Sequence, residues 1–120
     1  MKRTRTLAAT AVAALAAGVL GAAVAGAATP KLTASDSDPF NISLTQAGKK
    51  VTKLKAGTYT IVVQDKAADH NFHLTGPGVN KTTSVSGKGT TTWTVKLKAG
   101  TYKYVCDPHK SFMKGSFTVS

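Results

Sequence analysis

From residue 29 onward, the sequence predicts an all-β fold, either a sandwich or a barrel. Turn signals recur at short intervals, among them Ala47-Gly48, Gly76-Pro77-Gly78 and Gly87-Lys88-Gly89. The runs between them are short and rich in Thr, Val, Tyr, Phe and Ile, and they show no convincing helical period. Short strands separated by turns at this spacing are typical of β-sandwiches and barrels.

About eight strands are expected, preceded by a short polar lead-in over residues 29–37. In chain order, the expected strands are 40–45, 50–54, 58–64, 71–74, 82–86, 91–97, 101–106 and 114–119. Because successive side chains of a strand point to opposite faces, the alternation of residue types predicts which side chains face the interior. The predicted inward sets are Tyr59, Ile61 and Val63; Trp93, Val95 and Leu97; and Tyr102, Tyr104 and Cys106.

The phrase K-L-K-A-G-T-Y occurs twice, at residues 53–59 and 96–102. In both copies a turn at Ala-Gly leads into a strand that carries an inward aromatic residue. The first strand continues to Val63, whereas the second ends at Cys106, the only cysteine of the chain. The repeat therefore predicts two strands that start in the same way. The second strand places a thiol at its end, where the chain turns away.

Residues 1–28 read as a secretory signal peptide, which leaves residues 29–120 as one domain. Three basic residues, Lys2, Arg3 and Arg5, precede an apolar stretch that ends in small residues suited to cleavage, with Ala28 or Thr29 as the expected new amino terminus. A retained membrane anchor is the alternative, but Ala and Gly dominate the stretch and contribute little apolar surface. We expect export to the periplasm or to the extracellular space or cell surface, without stable membrane insertion after cleavage.

The chain has a formal net charge of +11, which falls to +8 when the three basic residues of 1–28 are removed. This charge favours an acidic partner. The lysines are scattered, many at alternate positions of strand-like segments, as on a solvated sheet face. No basic stripe rich in aromatic residues accompanies them, so the sequence does not favour nucleic-acid binding.

The soft and imidazole side chains beyond residue 28 lie in two short segments. One holds His70 and His73, and the other holds Cys106, His109 and Met113 in the pattern C-x2-H-x3-M. A thiolate with two imidazoles and a weak thioether suits copper and is typical of electron-transfer sites. A structural zinc site would more often use further cysteines, and a catalytic cysteine would need a nucleophile–base pair, which Cys106 and His109 could supply. The remaining alternative is that Cys106 is a small buried hydrophobe.

Three features together resemble the cupredoxins, the small blue copper proteins of the plastocyanin and azurin kind. They are His70-Asn71, the Y-x-Y-x-C strand that ends at Cys106, and Pro108-His109 followed by Met113. The resemblance spans essentially all of residues 29–120 and implies a Greek-key sandwich of eight strands with one type 1 copper per chain. It also implies that His70, Cys106, His109 and Met113 ligate the copper.

The upstream ligand is a choice between two histidines. His70 shares strand parity with Phe72 and Leu74, which read as inward, whereas His73 has the opposite parity. Parity and the following Asn71 both favour His70, and His73 is then a surface residue. The resemblance implies that Asn71 secures the copper loop through hydrogen bonds to its backbone.

The resemblance implies a monomeric carrier of single electrons between redox partner proteins, and not an enzyme. Electrons would pass through the ring edge of His109, which is flanked by Pro108 and Phe112. Lys110 and Lys114 would attract a partner with an acidic docking surface. The main alternative is a copper-binding protein for delivery, storage or resistance, and a third is a metal-free sandwich that acts as an interaction module.

Overall fold

The computed structural model describes residues 28–120, whose backbone is almost entirely strand and turn. The strands are β1 Lys31–Ser37, β2 Asn41–Gln46, β3 Lys49–Lys50, β4 Lys53–Leu54, β5 Gly57–Asp65, β6 His73–Gly76, β7 Val79–Thr82, β8 Gly89–Leu97, β9 Gly100–Val105 and β10 Lys114–Val119. A single 3-10 turn, Asp107–His109, follows β9. No helix within residues 28–120 is long and apolar enough to cross a membrane, and the predicted signal peptide, apart from residue 28, lies outside the described residues.

The strands form two five-stranded sheets that pack face to face as a sandwich. Their orders are β4-β10-β9-β6-β7 and β3-β2-β1-β5-β8. The all-β prediction is confirmed, and of its two variants the sandwich is correct. The three predicted inward sets are also confirmed, because all nine of their side chains are buried between the sheets. Burying these apolar side chains is the main favourable term that holds the layers together.

The predicted polar lead-in over residues 29–37 is wrong. Lys31–Ser37 forms β1, which lies in the middle of its sheet between β2 and β5. It pairs in parallel with β5 and antiparallel with β2. Its inward positions hold Leu32, Ala34 and Asp36. With only one large apolar side chain and one buried carboxyl, the segment lacks the alternation of apolar and polar residues that marks a strand.

Two other predicted strands differ from the structure. The strand predicted at 82–86 instead runs over Val79–Thr82, because the tight turn after β6 starts the returning strand at once. The strand predicted at 50–54 is split into β3 and β4, which belong to different sheets. The chain therefore passes from one layer to the other at Val51 and Thr52.

Both copies of the repeated phrase start a strand in a similar way. In each, a glycine with positive φ begins the strand, at Gly57 and at Gly100. The Tyr59 hydroxyl donates to the carbonyl of Lys55 at 2.8 Å. In the second copy the amide of Lys98 donates to the Tyr102 hydroxyl at 2.9 Å. In each copy the tyrosine thus ties the start of its strand to the residue four positions upstream.

Candidate metal centre

The turn after β9 is closed by backbone hydrogen bonds that bring its two ends together. The Cys106 amide donates to the Met113 carbonyl at 3.0 Å. Inside the turn, the amides of His109 and Met113 donate to the carbonyls of Cys106 and His109, at 3.0 and 2.8 Å. Pro108 lies at the start of the 3-10 turn, where a backbone N–H would have no partner within the turn, so proline is tolerated there. The sequence from Cys106 to Met113 is therefore a compact, internally bonded loop.

Three donor atoms converge at this loop. The Sγ of Cys106 lies 3.6 Å from Nδ1 of His70 and 3.6 Å from Nδ1 of His109. His70 and Cys106 are fully buried, and His109 is half-buried. Met113 is also buried, and its backbone is bonded to both Cys106 and His109. The structure thus brings three of the four predicted ligands within contact distance of one another and buries the fourth in the same loop.

The orientation of His70 leaves Nδ1 free to bind a metal. The opposite ring nitrogen, Nε2, lies 3.0 Å from the carbonyl oxygen of Pro39, which can only accept a hydrogen bond. Nε2 therefore carries the proton, and the lone pair is on Nδ1, which faces Cys106. Such a hydrogen bond to the second nitrogen is how proteins orient a metal-binding histidine. The exposed carboxylates of Asp38 and Asp69 lie 3.2 and 3.8 Å from the same Nε2.

Burial raises the pKa of the Cys106 thiol above its usual 9.0. The backbone amides of Asn71 and His109 oppose this rise, whereas the negative charges of Asp36 and Asp107 add to it. Without a metal, the sulfur is therefore protonated at neutral pH. A metal ion that binds as a thiolate complex must displace this proton.

Asn71 holds the loop from the other side. Its Oδ1 accepts a hydrogen bond from the Asp107 amide at 2.7 Å, and its Nδ2 donates to Oδ2 of Asp107 at 2.8 Å. The role that the resemblance implied for Asn71 is confirmed. The predicted alternation along this segment is incomplete, because His70, Asn71 and Phe72 are all buried and β6 begins only at His73. His73 points away from the thiol and contacts Asp107.

Two exposed aromatic rings surround His109. Phe40 and Phe112 are 54% and 57% exposed, and among the described residues they are the exposed large hydrophobic side chains. The Phe40 ring lies edge-on to His109 at 5.2 Å and to Phe112 at 5.2 Å, measured between centroids. His109 also lies 4.9 Å from the buried ring of His70. The ring of His109 therefore connects the buried donors to an apolar surface.

A buried carboxyl pair lies behind this centre. Asp36 of β1 and Asp65 of β5 are direct partners on neighbouring parallel strands, and both are buried. Neither oxygen of Asp36 has a hydrogen-bond partner among the described residues. Burial, and then the nearby Asp65 carboxyl, raise the pKa of Asp36 from 3.8 to about 7, although the His70 ring and the Lys66 amide act in the opposite direction.

Sequence reasoning missed three residues that shape the centre: Phe40, Pro39 and Asp36. Each lies on β1 or in the turn that follows it, and the strand itself was not predicted. Asp38-Pro39 is a turn signal in the sequence, but nothing in the sequence pairs it with His70, which is 31 positions from Pro39. A hydrophobic residue directly after a turn, such as Phe40, was the one available signal.

Comparison with known proteins identifies the family. A family model described as the cupredoxin-like domain matches residues 10–119. Rusticyanin from Thiobacillus ferrooxidans is 25% identical, with coverage of 75% of this chain and 76% of that chain and a TM-score of 0.52. A structure of reduced rusticyanin is 24% identical, with coverage of 75% and 78% and a TM-score of 0.54. A rusticyanin structure described as that of a copper protein is 23% identical, with coverage of 75% and 76% and a TM-score of 0.56.

No curated protein matches this chain significantly. The family match covers most of the sequence, and the solved structures share the same two-layer fold. The chain therefore belongs to the cupredoxin-like domain family.

Proposed function

We propose that this protein carries single electrons through one type 1 copper ion, ligated by His70, Cys106, His109 and Met113. The observation that carries the proposal is the convergence of two imidazole nitrogens on one buried thiol, each 3.6 Å from the sulfur. Two imidazoles, a thiolate and a weak thioether are the donor set of electron-transfer copper sites. When bound, copper would supply a one-electron couple.

The chain's own contribution is to hold the donors in place and to keep water away. The Pro39 carbonyl fixes the ring of His70, and Asn71 fixes the loop that carries Cys106 and His109. Because these donors are already assembled, gain or loss of an electron needs little movement of the protein. The burial of His70 and Cys106 also favours retention of the metal over rapid release. These features favour electron transfer over copper delivery or storage.

Electrons would pass through the ring of His109. Its aromatic neighbours Phe40 and Phe112 form an exposed apolar surface on which a partner can dock with its own redox group near the ring. Lys110 lies in the same loop, and Lys114 begins β10 just beyond it. These cations suit a redox partner protein with an acidic docking surface, because complementary charge raises the rate of encounter.

We also propose that residues 1–28 direct export and are then removed, so that residues 29–120 act as a monomeric domain in the periplasm or outside the cell. The support is the order of basic, apolar and small residues in the sequence. Mass spectrometry of the exported protein should find Ala28 or Thr29 at its amino terminus. Recovery of intact Met1 in a membrane fraction would contradict removal of the segment.

The direct test is to add Cu(II) to purified residues 29–120 and record the visible spectrum. We expect uptake of one equivalent and an intense charge-transfer band from thiolate to copper. Cys106→Ser and His70→Gln should abolish that band. His73→Gln is the matched variant, because it removes the other upstream imidazole and should still take up one equivalent.

Two outcomes would overturn the proposal in different ways. Failure to bind copper, or binding without the band, would exclude a type 1 site. Binding with the band but without reversible one-electron voltammetry would exclude the carrier role and favour delivery or storage.

A further inference from the structure

His73 lies between two oxygen acceptors on the outer face of its sheet. Its Nδ1 is 3.0 and 3.1 Å from the two carboxylate oxygens of Asp107. Its Nε2 is 2.7 Å from Oδ1 of Asn80. The backbone partners of His73 in the neighbouring strands are Val105 of β9 and Thr82 of β7. The ring therefore bridges the edge strand β7 to the turn that follows β9.

This geometry favours a charged ring. A neutral imidazole has one N–H and can donate to only one of the two oxygens, whereas the imidazolium donates to both. Burial alone would lower the pKa of His73, but the hydrogen bonds with Asp107 and Asn80 and the charge of Asp107 raise it above 6.5. The Asp107 carboxylate thus favours the charged form of the ring.

The same carboxylate connects His73 to the metal centre. Oδ2 of Asp107 accepts from Nδ2 of Asn71, and the Asp107 amide donates to Oδ1 of Asn71. Asp107 is therefore held on one side by Asn71 and on the other by His73. Because Asp107 directly follows Cys106, any loosening of this carboxylate also loosens the backbone at the start of the loop.

We propose that protonated His73 is a positioning residue, which holds Asp107 against Asn71 and thereby fixes the start of the loop from Cys106 to Met113. When the ring loses its charge, the ion pair between the imidazolium and the Asp107 carboxylate becomes a weaker bond from a neutral N–H, and the loop is held less firmly. The inference rests on the proposed function in one respect, because this loop carries three of the proposed copper ligands.

The other charged groups near His73 do not replace Asp107. On β9, Val105 lies opposite His73, and Lys103, two residues earlier on the same face, lies opposite Thr75. In the loop, Lys110 acts on Asp107 and lowers its pKa, as His73 does. The neighbours from β7, Thr82 and Asn80, are neutral. Asp107 is therefore the acid that faces the ring within residues 28–120.

The first test uses the metal-free protein and does not depend on copper. Nuclear magnetic resonance should show that His73 titrates above its usual value of about 6.5. Asp107→Asn should lower this titration point, whereas the matched variant Asp69→Asn removes an exposed carboxylate that does not contact His73 and should leave it raised. Titration of wild-type His73 at or below the usual value would overturn the proposal.

The second test measures hydrogen exchange at the Asp107 amide. Its protection, corrected for the intrinsic pH dependence, should fall as pH rises through the titration of His73. Each pH unit by which the titration point of His73 is raised corresponds to about a tenfold loss of protection. The control is the amide of Thr118 on β10, which donates to the carbonyl of Thr52 and should show no such step. In His73→Gln the step should disappear.

Protection that is independent of pH in the wild-type protein would refute the positioning role, even if His73 titrates high. If His73→Gln folds poorly, Asp107→Asn serves instead and should remove the same step. The two proposals fail separately. A protein that shows the step but binds no copper would refute the electron-carrier function and leave the role of His73 intact. A protein that binds copper but lacks the step would refute the role of His73 and leave the electron-carrier function intact.

Discussion

Replacing Asp36 by asparagine should change how the stability of the metal-free protein depends on pH. Asp36 is buried, has no hydrogen-bond partner among the described residues, and lies beside the buried Asp65. Its pKa is raised to about 7 in the folded protein, chiefly by burial. Between the usual pKa of the unfolded chain and this value, the folded state binds more protons than the unfolded state. The free energy of unfolding therefore falls as pH rises through this range.

The size of the effect follows from the pKa. A rise from 3.8 to about 7, at about 1.4 kcal/mol per pH unit, amounts to about 4 kcal/mol. This loss is absent below about pH 4 and complete above about pH 7. Because the two carboxyls of the pair share their titration, about 4 kcal/mol is an upper bound for either one. Asparagine has nearly the same shape and no charge, so Asp36→Asn should not show the loss.

The assay is urea unfolding at several pH values between about 4 and 8, followed by the fluorescence of Trp93, the one tryptophan of the chain. The quantity of interest is the difference in unfolding free energy between Asp36→Asn and wild type. A constant cost of burying the amide cancels when this difference is compared across pH. Asp69→Asn is the matched control, because its exposed carboxylate should leave the pH dependence nearly unchanged.

We expect the difference to move in favour of Asp36→Asn as pH rises, by up to about 4 kcal/mol. Parallel curves for wild type and Asp36→Asn would refute the reasoning about Asp36. If Asp65→Asn alone flattens the curve, the raised titration belongs to the other member of the pair. If neither substitution changes the curve, the buried pair carries no linked proton.

Three further predictions concern the loop and its support. Met113→Leu should keep the charge-transfer band and raise the reduction potential by an amount of the order of 59 mV, a tenfold change for one electron; an unchanged potential would show that Met113 is not the axial ligand. Gly115→Ala should destabilise the protein by about 1–3 kcal/mol, because the new methyl group would meet the ring of Tyr104. Ser116→Ala, the neighbouring control in urea unfolding, should stay within about 0.5 kcal/mol of wild type, and equal effects would contradict the packing argument. Phe112→Lys should slow electron self-exchange, measured by line broadening in mixtures of oxidised and reduced protein, and an unchanged rate would argue against docking at this surface.

The parts of the fold that were predicted correctly have strong alternation of residue types. Tyr102, Tyr104 and Cys106 alternate with Thr101, Lys103 and Val105, so both the strand and its inward face could be predicted. β1 was not readable because its inward positions hold Ala34 and Asp36 besides a single leucine. Such a strand is stabilised by its partners on both sides and not by its own pattern.

The same distinction applies to the candidate centre. The donor residues of the loop could be picked out because cysteine and histidine are rare in this chain and closely spaced. The contacts between His73 and Asp107 could not, because they depend on the register of three strands. The sequence pattern assigned His73 correctly to the outer face, but described it only as a surface residue. A side chain on an outer face becomes a structural element only through neighbours that are distant in the sequence.

The position of His70 has a consequence for the folded chain as a whole. This residue lies on the crossing from β5 in one sheet to β6 in the other, 36 positions before Cys106. A metal bound to both would act as a reversible cross-link that closes this long stretch of chain. By the loop-entropy estimate used for disulfides, closing a loop of this length raises the free energy of the unfolded chain by about 4 kcal/mol. Metal loading would then fasten this crossing to the end of β9, and a chelator would lower the free energy of unfolding without unfolding the protein.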